Sequence, residues 1–390
     1  MDKAQAVLTP KGERWRKSRH PWVYRDDLVD AIDPALSGQA VQVKSPQGQL
    51  LGQALYNSAS KIALRWLTDD PEEAIDRSFW ESRLQAALEY RRRVVKESTA
   101  YRLISSEADG FPGLVVDHYG SVVVLQSLSL GMERILPLLV EILTEILHPQ
   151  AIIARNDSPV RSLEGLAQEK RLLAGNSPGL VEITEGDRRY LVDVWEGHKT
   201  GAYLDQRENR LWARRHARGR VLDAFSYQGG FTLHLAPLAE QLLALEDSES
   251  SVGILKRNLE LNGIQNVQVE RANVFDRLRV LEREGEKFDL IVLDPPAFAR
   301  SRKEIEGAWR GYRELNLRAL KILKPYGTLI TCSCSYNMTD EIFMEILREA
   351  SRDSQRKVRL IEIRTQSRDH PVVLTHPESK YLKCFALEVA

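Results

Sequence analysis

From about residue 205 onward, short apolar runs recur with long segments between them, and this recurrence limits the fold more than any other feature. The runs are Arg220–Phe225, Leu242–Glu246, Val267–Arg271, Phe288–Asp294 and Thr328–Thr331. Intervening stretches such as Ser250–Asn262 have the length of a crossover helix. Parallel strands cannot be joined by a tight hairpin and need such crossovers. The pattern therefore predicts an α/β domain with a doubly wound, mainly parallel sheet. Sheets of this kind bind ligands outside the carboxyl ends of their strands.

Polar residues fall at those ends. Val221 to Phe231 reads as a buried strand ending at Asp223, then a loop through Phe225 and Ser226 to the paired Gly229 and Gly230. Such glycines permit close backbone approach, and the helix that follows offers free N–H groups. Only two glycines are present, so this is not the G-x-G-x-x-G of pyrophosphate binders. Glu246 closes the next run, where an acid can accept from both ribose hydroxyls. Asn273 follows the third run, within reach of a nucleobase, and Asp294 ends the fourth ahead of Pro295-Pro296. Each position alone is weak; in successive strand order they form a nucleoside-binding edge.

The fifth run ends in Thr331-Cys332-Ser333-Cys334-Ser335, holding two of the chain's three cysteines. A thiol at that edge can act as a nucleophile, because thiolate is the most reactive ordinary side chain. Cys334 carries that expectation. Cys332 is expected to line the core or cleft, and Cys384, in the apolar run Cys384–Leu387, the core. Cys332 and Cys334 with His370 and His376 lack the paired spacing of a zinc site, so no metal is predicted.

The remainder divides in two. Residues 1–70 hold short β runs at Gln39–Val43, Leu50–Leu55 and Ile62–Trp66, broken by turn residues, which predicts a small β barrel. Residues 71–185 read as a mixed α+β middle domain, with Asp76 capping a helix to about Lys96 and a second helix from about Glu133 to Leu147 whose regular part starts close to Pro137. Residues 186–390 complete the α/β domain. At 390 residues, with 43% hydrophobic and 28% charged residues, the composition is that of an ordinary soluble protein. No apolar run reaches the ~18 residues of a membrane span, and the acidic start Met1-Asp2-Lys3 is not expected to act as a signal peptide. An odd, low cysteine count fits a reducing cytoplasm.

Formal charge is zero, yet basic residues cluster. Lys11 to Arg25 carries six Lys/Arg against Glu13 alone, with Trp15, Trp22 and Tyr24 among them; Arg207 to Arg220 holds six Arg against Glu208. Aromatics among cations suit phosphate contact plus base stacking, so Arg16, Lys17, Arg19 and Trp22 are candidate RNA contacts. The competing reading is a solvated helix face.

The α/β half resembles the class I S-adenosylmethionine-dependent methyltransferases. Arg19-His-Pro-Trp22, Glu107 to Gly113, Thr200 to Arg207, Leu293-Asp-Pro-Pro296, Ser333-Cys-Ser335 and His376 to Leu382 extend the resemblance over essentially the whole chain. They narrow it to bacterial 5-methylcytosine methyltransferases of 23S ribosomal RNA, which carry an N-terminal PUA domain. The resemblance implies a Rossmann-like catalytic domain with S-adenosylmethionine as cofactor. It implies that Tyr203, Asp205 and Gln206 border the cofactor together with Asp223, Phe225, Ser226, Gly229, Glu246, Asn273 and Asp294. It also implies Cys334 as nucleophile, Asp294 as its helper, and a cytoplasmic enzyme acting on ribosomal RNA, with a homodimer as a possible assembly. Two residues depart from the pattern: Asn273 stands where many methyltransferases have Asp, and Cys332 stands beside the expected cysteine.

Two other functions compete. Base-amino methyltransferases place an aromatic directly after Pro-Pro, whereas here Ala297 precedes Phe298. A non-catalytic RNA-binding assembly protein would have no use for Cys334 or Asp294.

Overall fold

The computed structural model describes residues 4–299 and 301–390, so the Met1-Asp2-Lys3 start lies outside the described residues. The chain forms two compact units. The first is Met1–Ile183 with Asp193–Ala202 and Asp369–Ser379; the second is Thr184–Val192, Tyr203–Arg368 and Lys380–Ala390. Two segments of the expected 186–390 domain, 193–202 and 369–379, thus belong to the first unit.

The first unit holds two five-stranded sheets. One runs Gln5–Val7, Ala40–Lys44, Leu50–Tyr56, Ile62–Thr68, Trp22–Tyr24 in spatial order. Leu8, Val23, Val41, Val43, Tyr56 and Leu64 form its core. The other runs Glu169–Gly175, Ala151–Asn156, Val122–Ser127, Leu114–Tyr119, Ala100–Ser105. Phe79, Trp80, Leu84 and Leu88 of helix Arg77–Val94, with Met132, Leu136, Leu139 and Leu143 of helix Leu130–Leu147, share a core with its strands. Asp76 caps the first helix as expected, accepting from the Phe79 amide at 3.1 Å. The second corrects the sequence expectation. It begins well before Pro137, because Ser129 caps it and buried Met132 and Leu136 anchor the turns that precede the proline.

The second unit is built on a seven-stranded sheet. Its strands are β1 (Arg220–Ala224), β2 (Gln241–Glu246), β3 (Val267–Arg271), β4 (Phe288–Leu293), β5 (Leu323–Ser333), β6 (Val358–Arg364) and β7 (Lys383–Val389). The spatial order is β3-β2-β1-β4-β5-β7-β6. Strands β1 to β5 are parallel, and β7 enters antiparallel between β5 and β6. Helices α1 (Gly230–Leu235), α2 (Glu249–Leu261), α3 (Val274–Arg283), α4 (Ile305–Ile322) and α5 (Asp340–Ser354) connect them. Leu222, Ile291 and Leu329 from the sheet and Leu278, Leu315 and Phe343 from the helices lie fully within one core. The order in which successive strands are laid down reverses between β1 and β4, which sets a ligand crevice at their carboxyl ends.

Candidate functional site

The loop after β1 is tightly folded against the α2 helix. Gly229 sits at φ +96°, and a Cβ there would come within 2.4 Å of the Leu255 side chain. Only glycine fits both the conformation and the space. Phe225 and Tyr227 also take positive φ, 69° and 51°, a conformation that costs non-glycine residues energy. The loop is held by the Ser226 amide, which donates to Leu245 O at 2.9 Å, and by Glu246. One Glu246 oxygen accepts from the Tyr227 amide at 2.9 Å and the other from the Ser248 amide at 2.9 Å. A carboxylate offers about four acceptor positions, so two remain for hydroxyl donors.

Asp223 is 1% exposed. One of its oxygens accepts from the Thr232 hydroxyl at 2.6 Å, while Oδ1 has no hydrogen-bond partner. Burial, aided by the charges of Asp294 and Glu246, pushes its carboxyl up to about 7. A buried acceptor of this kind favours a cationic or N–H-bearing ligand group. Asn273 caps α3, its Oδ1 accepting from the Asp276 amide at 3.3 Å; that side chain is exposed.

Beyond β4 the groups interlock. Asn209 Nδ2 donates to Gln206 Oε1 at 2.7 Å, which fixes the side-chain amide so that Gln206 Nε2 donates to Asp294 Oδ1 at 2.9 Å. Asp205 is 2% exposed and accepts from the Tyr381 hydroxyl at 2.9 Å. Tyr203 packs edge-on against Tyr227, centroids 5.3 Å apart, and its hydroxyl is pushed up by burial and by neighbouring Tyr227, Asp294, Cys334 and Asp205. Buried Arg210 ties this segment down, donating to Tyr203 O at 2.8 Å and to both oxygens of Glu185. The expected basic face over Arg207–Arg220 is corrected here: Arg207 and Arg210 are buried, and Arg214 pairs with Asp187 at 2.7 Å.

The three thiols differ sharply. Cys332 and Cys384 are fully buried, whereas Cys334 is partly exposed. Cys332 faces Cys384 across the β5–β7 pairing, and burial first, then Cys384, pushes its thiol well up. Ser335, the residue after Cys334, accepts at Oγ from the Ala299 amide at 3.2 Å, and its carbonyl accepts from Lys383 Nζ at 2.6 Å. Phe298 packs on Tyr312 with centroids 4.7 Å apart, beside an open groove of about 820 Å³ lined in part by Ala297, Lys303 and Arg310. Sequence reasoning passed over Thr232, Asn209 and Lys383; a lysine opening an apolar strand run was the one visible signal among them.

In the first unit, Arg16 pairs with Asp69 and lies 3.9 Å over the Trp66 ring, and Trp22 Nε1 donates to Glu107 at 2.7 Å. Lys17 pairs with Glu13 at 3.1 Å but is exposed, as is Arg19. His20, His376 and Glu378 bring donor atoms within 4.8 Å of one another. The Trp22 amide donates to His20 Nδ1 at 3.2 Å, which leaves the ring proton on Nε2, 3.1 Å from Glu378. A metal would need that nitrogen bare, so the cluster is a hydrogen-bonded pair beside a second imidazole. Among the described residues, no helix is long and apolar enough to cross a membrane.

Residues 167–373 match the family described as S-adenosylmethionine-dependent methyltransferase, and residues 6–69 match the PUA-like domain. A Klebsiella pneumoniae (strain 342) protein named Ribosomal RNA large subunit methyltransferase I is 40% identical, with 98% of each chain covered. The protein of that name from Escherichia coli O139:H28 is 39% identical over the same shares. Among solved structures, SMU.776, a methyltransferase complexed with SAH, shares the fold, with TM-score 0.85 at 24% identity and 100% coverage of each chain. The residues fit S-adenosylmethionine: Glu246 retains acceptor capacity for ribose hydroxyls, and the unpartnered Asp223 oxygen suits its positive charge. S-adenosylmethionine is the cofactor, and when bound it supplies an electrophilic methyl group. The chain belongs to the S-adenosylmethionine-dependent methyltransferases with an N-terminal PUA-like domain, the family of the Ribosomal RNA large subunit methyltransferase I proteins.

Proposed function

We propose that this enzyme methylates carbon-5 of a cytosine in 23S ribosomal RNA through a covalent adduct on Cys334, in the cytoplasm where ribosomes are made. The names of its relatives support the RNA class. The observation that carries the carbon-5 reading is the contrast among thiols: Cys334, at the carboxyl end of β5, is the partly exposed one, while Cys332 and Cys384 are sealed. Carbon-5 of a neutral cytosine is a poor nucleophile. Thiolate addition to carbon-6 shifts electron density onto carbon-5, which then takes the methyl group. Asp294, held by Gln206, hydrogen-bonds the base edge and supports the charge shift. Loss of the carbon-5 proton to a base returns the electron pair, and the carbon–sulfur bond breaks to release thiolate.

Cofactor contacts are assigned to Tyr203, Asp205, Gln206, Asp223, Phe225, Ser226, Gly229, Glu246, Asn273 and Asp294. Residues 1–70 serve as the RNA-docking module, with Arg16, Lys17, Arg19 and Trp22 on it; 71–185 form a middle domain and 186–390 the catalytic part. Base-amino methylation fits less well. Phe298 comes second after Pro-Pro and its ring is engaged by Tyr312 and Phe275, so it offers no directly placed stacking face.

RNA carrying 5-fluorocytosine at the target should trap an adduct on Cys334 only with S-adenosylmethionine present, because fluorine cannot leave as a proton. Cys332→Ala should still form it. An adduct located on Cys332 would move the nucleophile to that residue, and methylation surviving Cys334→Ala would reopen the base-amino reading.

A further inference from the structure

Lys383 opens β7 opposite Ser333 of β5 and is 3% exposed. Lysine is almost never buried this deeply unless paired with an acid. Here, among the described residues, no carboxylate forms an ion pair with it. Its ammonium instead donates to two neutral carbonyls, Ser335 O at 2.6 Å and Tyr381 O at 2.8 Å. A methionine would fill the same space without a desolvated charge, so the charge calls for a use.

Cys334 supplies one. It directly precedes the clamped Ser335, whose hydroxyl is also fixed by the Ala299 amide at 3.2 Å and lies 3.5 Å from the Tyr312 hydroxyl. A nucleophilic cysteine needs a positive neighbour to ionise at neutral pH. We propose that Lys383 is a positioning residue for Cys334: its ammonium fixes the Ser335 carbonyl and supplies the charge that holds the neighbouring thiol as thiolate. This rests on Cys334 being the nucleophile.

The charges around the pair agree. Burial lowers Lys383 to about 8, against attraction from Asp340 and Cys334 and with repulsion from Lys380. Attraction between two groups acts equally on both, so a thiolate that favours the ammonium is favoured by it. Asp340 and Lys380 pair with each other. Asp294, Tyr203 and Tyr312 also face this end of β5, and their negative or neutral forms make a compensating cation more necessary.

The test is the pH dependence of iodoacetamide alkylation at Cys334 on the full chain without RNA, located by peptide mass spectrometry. The wild-type midpoint should lie below the ~8.5 of a free thiol. Lys383→Gln, which keeps a neutral donor, and Lys383→Met should raise it by about one unit, slowing alkylation near neutral pH roughly tenfold. Lys383→Arg should restore most of the difference. If neither neutral variant folds, the wild-type midpoint decides, and a value at or above a free thiol's overturns the proposal. So does an unchanged midpoint in Lys383→Gln. Were methylation to survive Cys334→Ala while the midpoint stayed low and lysine-dependent, the nucleophile assignment would fall and the charge pairing would stand.

Discussion

The edge of the seven-stranded sheet has two ends of opposite character. Around β1 and β2 the groups are acidic: Asp223 is buried with an oxygen unpartnered, and Glu246 faces the glycine loop. Around β5 and β7 a buried ammonium, Lys383, holds the carbonyl of Ser335, the residue after Cys334. A cationic cofactor and the anionic nucleophile proposed for this enzyme need opposite surroundings, and the ends of one sheet can offer both. The fold sets where chemistry occurs, and the residue at each strand end sets its sign.

Substitutions at one end should leave the other intact, and the largest effect belongs to the thiol. Cys334→Ala should lower turnover by about 10³-fold or more, since the covalent route is lost, while calorimetry finds cofactor affinity nearly unchanged. A parallel fall in affinity would erase the distinction between the ends. Glu246→Ala should weaken S-adenosylmethionine by about 1–3 kcal/mol, roughly 5- to 150-fold, and leave Cys334 alkylation as in the wild type. Unchanged affinity would remove Glu246 from the cofactor contacts.

A control lies in the first unit, away from both strand-end groups in sequence. Replacing Lys17 and Arg19 should reduce the steepness of the salt dependence of RNA binding by about 0.9 per lost phosphate contact. Arg16, already engaged by Asp69 and Trp66, should contribute less; an equal contribution would mean those contacts open on RNA.

The smallest effect is one of pH. Folding raises the Asp223 carboxyl to about 7. Its contribution to stability is therefore fully present below the unfolded carboxylate range near ~4, and is lost as pH rises through 7. A bound cation would pull the proton off, so S-adenosylmethionine should bind more tightly as pH climbs from about 5 to 7, with proton release. Asp223→Asn should flatten that dependence in calorimetry; a slope that persists would assign the proton to another group.

The acidic end was the more legible from sequence. Asp223, Glu246 and Asp294 fall at the ends of apolar runs, Asp294 directly before two prolines, and such punctuation marks strand ends. Lys383 carries no such mark, because its role comes from a pairing with a strand far away in sequence. Helix Leu130–Leu147 was misread at Pro137 because tertiary burial outweighs the local cost of the ring. Arg207 and Arg210 looked like a solvated face because a sequence does not display Glu185 waiting for Arg210. Strand β6 went unseen since most of its residues are exposed, which blurs the alternation. Asn273 read as a base contact, and its local duty as a helix cap was hidden behind that possibility.

The antiparallel insertion of β7 between β5 and β6 bears on how the protein is made. A ribosome delivers β5 and β6 before β7; β5 can pair with β4 at once, but its other edge, and β6, lack their sheet neighbour until Lys383–Val389 emerges. During that interval β5 presents an open edge, the state in which strands are prone to mispair. The nascent chain can therefore complete its acidic, cofactor-facing end early, while the thiol-bearing end matures only when its last strand arrives and brings its ammonium with it.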